Sequence, residues 1–208
     1  MTDLVVNSGA KVSAVGQSGG SIRLAGNRRL VVENDAIIDT TSLRGGGRIT
    51  LSCDQGAIAL TGQVLASALA TDDRPADGGG ISFLSNSSMK LTVGGDGRAC
   101  VDSKNGDGGV ISIRSSSGDV TVEVIGELSA KTDKELSRSD GSLYIVADGK
   151  IVTNIDKKGK VTAAINSRGT ASAESRSKSL AILTAGPGVV IGSVYAQDSI
   201  EILGGLSC

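Results

Sequence analysis

Three carboxylates crowd one short stretch, "ATDDRPADGGG", as Asp72, Asp73 and Asp77. Acids at this spacing could serve as the proton donor and acceptor for glycosidic-bond cleavage, and clustered carboxylate oxygens also suit Ca²⁺. The rest of the chain argues against both. It has no histidine and no tryptophan, and Phe83, Tyr144 and Tyr195 are the only rings available to stack on a sugar. Phe83 falls on an inward-facing pattern and is withdrawn from such use. The sequence therefore predicts no catalysis and no cofactor.

Other sites of potential chemistry reduce to structure in the same way. The stretch "VGGDGRA" from Val93 to Ala99 resembles a fragment of a calcium-binding nonapeptide, but a site of that kind needs successive copies and this one occurs once. It reads as a corner turn. Gly19/Gly20, Gly45 to Gly47, Gly78 to Gly80 and Gly108/Gly109 lead into strands, whereas a phosphate loop leads from strand to helix. The cysteines, Cys53, Cys100 and Cys208, show no metal-ligand spacing. Cys100 reads as a small core residue, and Cys208 could pair with a thiol across a junction between subunits.

The elements that position these residues repeat along the chain. The segments "GGSIRLAGNRRLVVENDAIIDT", "GGGRITLSCDQGAIALTGQVLAS", "GGGISFLSNSSMKLTVGGDGRACVD", "GGVISIRSSSGDVTVEVIGELSA" and "GSLYIVADGKIVTNIDKKGKVTAA" overlay, and "KSLAILTAGPGVVIGSVYAQ" follows the pattern without the glycine pair. Each contains three short runs of alternating apolar residues, separated by Gly, Asn, Asp or Ser, which is strand and corner chemistry. The first runs are Ile22/Leu24, Ile49/Leu51, Ile81/Phe83, Ile111/Ile113, Leu143/Ile145, Leu180/Ile182 and Ile200/Ile202. Second runs are Leu30/Val32, Ile58/Leu60, Leu91/Val93, Val120/Val122 and Val189/Ile191, with single members at Val6 and Ile151. Third runs are Val12/Ala14, Ile38/Thr40, Val64/Ala66, Cys100, Leu128/Ala130, Val161/Ala163 and Val194/Ala196.

The spacing of these runs is loose, and most of the looseness falls after the third run. A shaped interior with one permissive corner predicts an all-β fold: a single-stranded parallel β-solenoid with three faces per coil, variable loops on one edge and about seven coils over residues 1–208 as one domain. Base rate favours the right-handed sense. Thirty glycines and few aromatics fit a thin interior of Val, Ile, Leu and Ala. No segment reaches the ~18 apolar residues of a membrane span.

Coils of the form "GG-x-I-x-L … G-x-V/I-x-L … G-x-V-x-A", running from Leu4 to Leu203, resemble the β-helical shafts of filamentous-haemagglutinin-type exoproteins and related bacterial adhesins. The resemblance implies an extracellular or cell-surface protein engaged in attachment or matrix building. It does not extend to the amino-terminal secretion domain or the great length of those exoproteins. "MTDLVV" also lacks the basic start and apolar core of a signal peptide.

The chain enters at a second run, "MTDLVVNSGAKVSA", and leaves after a first run, "IEILGGLSC". Joined end to end, the two make one complete coil. The expectation is head-to-tail stacking of copies, with Leu4, Val6, Val12 and Ala14 at one end meeting Val189, Ile191, Val194, Ala196, Ile200 and Ile202 at the other. An excised piece of a longer solenoid would leave the same pattern.

Twenty-one basic and twenty-two acidic residues nearly cancel, giving no whole-chain reason to expect nucleic acid as a partner. Charges collect in the variable corner, including Asp72, Asp73, Arg74, Asp77, Lys104, Asp133, Lys134 and Glu135. They read either as a solvated edge that blocks lateral pairing or as a recognition stripe for a cell-surface or matrix glycan. The leading expectation is a structural subunit of an extracellular filament that partners itself. A glycan-binding module or shaft of an adhesin is the alternative, and a polysaccharide-cleaving enzyme comes third.

Overall fold

The computed structural model describes residues 2–70, 75–132 and 141–147, together with the backbone of five further strands between 151 and 203. All regular structure among the described residues is β. The first coil holds β1 (Leu4–Val6), β2 (Lys11–Ser13) and β3 (Ser21–Gly26). The second holds β4 (Arg29–Val32), β5 (Ile37–Asp39) and β6 (Arg48–Cys53), and the third β7 (Ala57–Leu60), β8 (Gln63–Leu65) and β9 (Gly80–Ser85). Next come β10 (Met89–Val93), β11 (Arg98–Cys100) and β12 (Val110–Ser115), then β13 (Val120–Val124), β14 (Glu127–Ser129) and β15 (Ser142–Ala147). The last strands are β16 (Ile151–Ile155), β17 (Lys160–Thr162), β18 (Ser179–Thr184), β19 (Val189–Ile191) and β20 (Ser199–Leu203).

These strands form three parallel stacks. The first face runs β3-β6-β9-β12-β15-β18-β20, the second β1-β4-β7-β10-β13-β16-β19, and the third β2-β5-β8-β11-β14-β17. From β1 to β13 the path makes about four turns of a three-faced β-solenoid. Alternation with period two sends one row of each strand inward. Leu30, Ile49, Leu51, Leu60, Val64, Ile81, Phe83, Leu91 and Ile111 are all fully buried. Phe83 fills its place in the row between Leu51 and Ile113, as its inward pattern predicted.

Two ladder assignments are corrected. On the third face Ala99, not Cys100, lies opposite Val64 and Leu128, while Cys100 pairs with Leu65 and Ser129 on the outward parity. Cys100 is buried nonetheless. On the second face Val122/Val124, rather than Val120/Val122, face Leu91/Val93. The second shift is by two residues and leaves the same side chains inside, whereas the first, by one, exchanges the faces.

The permissive corner has a specific closure. The chain leaves the third face at Thr40, Ala66, Val101 and Ala130 and returns at Gly47, Gly79, Gly109 and Gly141. At each return the glycine N–H donates across the neck of the loop: Gly47 N to Thr40 O (3.0 Å), Gly79 N to Ala66 O (2.8 Å), Gly109 N to Val101 O (2.7 Å) and Gly141 N to Ala130 O (2.5 Å). The carbonyls of Gly47, Gly79 and Gly109 then accept from the N–H of Gly80, Val110 and Ser142 on the next coil. Neck bond and stacking bond leave no room for a side chain. A Cβ on Gly47 would lie 2.6 Å from Thr40 Cβ, and one on Gly79 would lie 2.6 Å from the carbonyl carbon of Gly46.

The loops beyond the necks are themselves ordered where described. Ser42, Ala68, Ser103 and Thr132 form successive parallel bridges, a narrow fourth ladder along the edge. Ala68, Ala70 and Ala76 make a small second core there. Ser103 Oγ donates to Ala76 O (2.7 Å) and accepts from Gly106 N (2.7 Å), and Asn105 Oδ1 accepts from Ala76 N (3.2 Å).

Two thermal-unfolding comparisons follow from this packing. Gly79→Ala should lose at least about 2 kcal/mol through overpacking at the neck, whereas Gly95→Ala, where an added Cβ meets nothing within 4 Å, should be neutral; equal melting temperatures for the two variants would refute the neck. Thr40 is fully buried and its Oγ1 has no hydrogen-bond partner among the described residues. A buried hydroxyl left unpaired costs about 1–3 kcal/mol, so Thr40→Val should raise the melting temperature by about 2–4 °C or more.

Candidate functional site

The end of the solenoid formed by β1, β2 and β3 is one candidate. Each of these strands is paired on one side only, with β4, β5 and β6 respectively. Their inward residues form the least covered apolar layer among the described residues. Val6 and Ile22 each retain 7% exposure where inner-coil counterparts such as Val32 and Ile49 have none, and Leu4, Val12, Ala14 and Leu24 are half-buried. The layer is held to the second coil by charge as well as by strand pairing. Arg28 donates through Nε and an Nη to the two carboxylate oxygens of Asp3 (3.0 and 3.1 Å), and this bond holds the Asp3 carboxyl below its ordinary range.

At the other end the backbone register is continuous. Val189 and Ile191 lie opposite Ile151 and Thr153, and Ile200 and Ile202 lie opposite Leu180 and Ile182. Ile182 in turn lies opposite Ile145, which lies opposite Ile113. Val194 and Ala196 lie outside the described residues, as does Cys208.

The charged edge is the second candidate. Asp72, Asp73, Arg74, Asp133, Lys134 and Glu135 lie outside the described residues. Asp77 and Lys104 are exposed, and Asp77 Oδ1 accepts from Asp107 N at 2.9 Å. That bond ties one loop to the loop of the next coil, a structural use for the carboxylate. Among the described residues no group of three or more His, Cys, Asp or Glu side chains could hold a metal ion. Among the described residues there is no helix long and apolar enough to cross a membrane.

Sequence reading missed a polar staple on the outer side of the third face. Asp102 Oδ1 accepts from Ser129 Oγ (2.6 Å) and from Lys131 N (2.9 Å), while Asp102 N donates to Ser67 Oγ (3.1 Å). Three coils are pinned through one residue. Beside it Arg98 donates through Nε to Glu127 Oε2 at 2.9 Å. Burial pushes the Asp102 carboxyl above its ordinary 3.8, against the lowering effect of its bonds to Ser129 and Lys131. Burial, reinforced by the Asp102 charge, pushes the Cys100 thiol up to about 12, so Cys100 is an inert thiol rather than a nucleophile. The signal for the staple lay in stacking the sequence coil on coil, which places Arg98 between Gln63 and Glu127.

The Asp102 shift has a definite sign. A carboxyl raised in the folded state contributes stability that is present in full below the unfolded value of 3.8 and is lost as pH climbs through the folded value. Asp102→Asn keeps the acceptor oxygen and cannot ionise. At pH 7 it should melt at the wild-type temperature or about 2–4 °C above it, and the difference should vanish below about pH 4. A variant markedly less stable than wild type at pH 7 would show that the charge itself holds the coils.

The chain matches no family model, no curated protein and no solved structure.

Proposed function

We propose that this protein is a structural rod, the subunit of an extracellular filament that grows head to tail by stacking one solenoid end on another. The observation that carries this reading is the one-sided pairing of β1, β2 and β3 over a partly uncovered apolar layer. Free strand edges of this kind template further pairing. Burying an end layer of about six side chains is worth on the order of 10 kcal/mol before association entropy is subtracted. In this reading β1 of one copy stacks on β19 of the next and β3 on β20, which in the register of the stacks brings Leu4 over Ile191, and Ile22 and Leu24 over Ile200 and Ile202. The contact joins unlike surfaces and does not close, so it builds a fibre. The coil is right-handed and about seven turns long, and the rod performs no catalysis.

The resemblance to filamentous-haemagglutinin-type shafts is part of the same proposal, and rests on the coil pattern. A shaft of a longer adhesin would use the same end layer, covered by further coils of its own chain. A glycan-binding role for the loop edge would instead depend on Asp72, Asp73 and Asp77, and charge reversal there would abolish it without touching the ends.

Electron microscopy of the purified chain over a range of concentrations separates these readings. Filaments with an axial repeat near 33 Å, about seven coils at ~4.8 Å each, are expected. They should be lost in a variant with Val6→Lys and Ile202→Lys that keeps its β-rich circular dichroism. Short monodisperse rods from the wild-type chain at every concentration would overturn self-stacking.

A further inference from the structure

On the outer sides of the second and third faces two pairs of opposite charges stack from one coil to the next. Lys90 Nζ lies 2.9 Å from Glu123, and an Arg98 Nη lies 2.8 Å from Glu127. The first face has no such pair among the described residues. The outward positions of β3, β6, β9, β12 and β15 carry Arg23, Arg48 and Arg114 and no aspartate or glutamate. The three arginines are exposed and form no ion pair among the described residues. The nearest acid in these rows is Glu201 of β20, beyond Tyr144 and Ala181.

The register fixes their arrangement. Arg23 sits opposite Thr50 and Arg48 opposite Ser21, which makes the two arginines diagonal neighbours roughly 8 Å apart. Arg114 stands farther along, opposite Leu84 and Val146. Between them lies a row of small hydroxyl residues, Thr50, Ser82 and Ser112, followed by Tyr144. Beside Arg48 the stacked glycines open a shallow groove of about 740 Å³, lined by Ser18, Gly20, Ser21, Gly47 and Gly79 among others.

We infer that the outer side of the first face binds a linear anionic polysaccharide laid along the solenoid axis. Uncompensated guanidinium groups are the complement of carboxylate or sulfate groups, and they recognise them by forked hydrogen bonding. The hydroxyl row suits the edges of sugar rings. A face six residues wide in each strand offers a flat track for an extended chain. Nucleic acid is the poorer fit, because three cations neutralise few phosphates and the described part of the face offers one ring, Tyr144, for base stacking. Arg23 stands on β3, the strand that self-stacking would place on β20 with its Glu201, so the two proposals share that one residue; Arg48 and Arg114 lie on inner coils, and binding through them does not depend on the filament.

The test is binding of the intact chain to immobilised dextran sulfate and alginate, with neutral dextran and double-stranded DNA as comparators. Salt-sensitive binding to at least one anionic polysaccharide is expected, with none to dextran; which of the two is held distinguishes sulfate from carboxylate. Arg23→Gln with Arg48→Gln and Arg114→Gln should weaken it by about tenfold or more, at unchanged melting temperature. Lys11→Gln with Lys90→Gln, on the other two faces, should change it less than about twofold. Absence of binding at low salt, or equal binding by the arginine variant, would overturn the assignment. DNA held more tightly through the same arginines would assign the face to nucleic acid instead.

Discussion

Everything in this fold depends on the hydrogen bond that each returning glycine makes across the neck of its loop. A three-faced coil stays in register only if the chain regains the first face at the height at which it left the third. The N–H of Gly47, Gly79, Gly109 and Gly141 enforces this by donating to Thr40, Ala66, Val101 and Ala130. Loop length then drops out of the problem. The segments 41–46, 67–78, 102–108 and 131–140 differ in size, yet each closes on the same bond. The cost is a stack of positions from which Cβ is excluded, and glycine enters there for close approach.

The neck also explains the thinness of the core. The last inward residues of the third face, Ala14, Thr40, Ala66, Val101 and Ala130, lie against the glycine stack and must be small. Thr40 shows the pressure most clearly, since its size suits the site although its hydroxyl finds no partner among the described residues. Larger side chains gather on the rows farthest from the neck, with Phe83 between Leu51 and Ile113. Each coil buries its apolar row only against its neighbours, so stability is a sum of coil-to-coil terms. An end coil lacks one of those terms, which is why the layer of Leu4, Val6, Val12 and Ile22 is the least covered among the described residues.

Much of the fold was legible because period-two alternation survives small errors. The first-face rows were read in the register that the structure has. The second-face shift at Val120 cost nothing, because a slip of two residues keeps every side chain on its side. The slip at Cys100 did matter. Gly97 marks the start of "G-R-A-C-V" as Gly62 and Gly126 mark their own third runs, and counting from it puts Ala99 and Val101 inside. Side-chain bonds between coils were not legible in a linear reading. Asp102, Ser67 and Ser129 belong to three different coils, and only the stacked register brings them within bonding distance. The loop edge was read as charged and permissive, which is correct in composition but omits the fourth ladder through Ser42, Ala68, Ser103 and Thr132.

The same stacking changes the meaning of the net charge. A total of −1 describes a neutral molecule, but a solenoid sorts its residues by position in the coil, and neutrality of the whole does not carry over to its parts. Glu33 and Asp35 fall at the corner between the second and third faces, as does Asp96 two coils on. That corner lies across the triangular section from the first face, where Arg23, Arg48 and Arg114 stand without acids. Within one coil the interior is dictated by packing and the necks by glycine, so outward residues are the ones free to vary without disturbing the fold. Outward cations without acids beside them therefore cost the fold little, and the broadest face carries three of them.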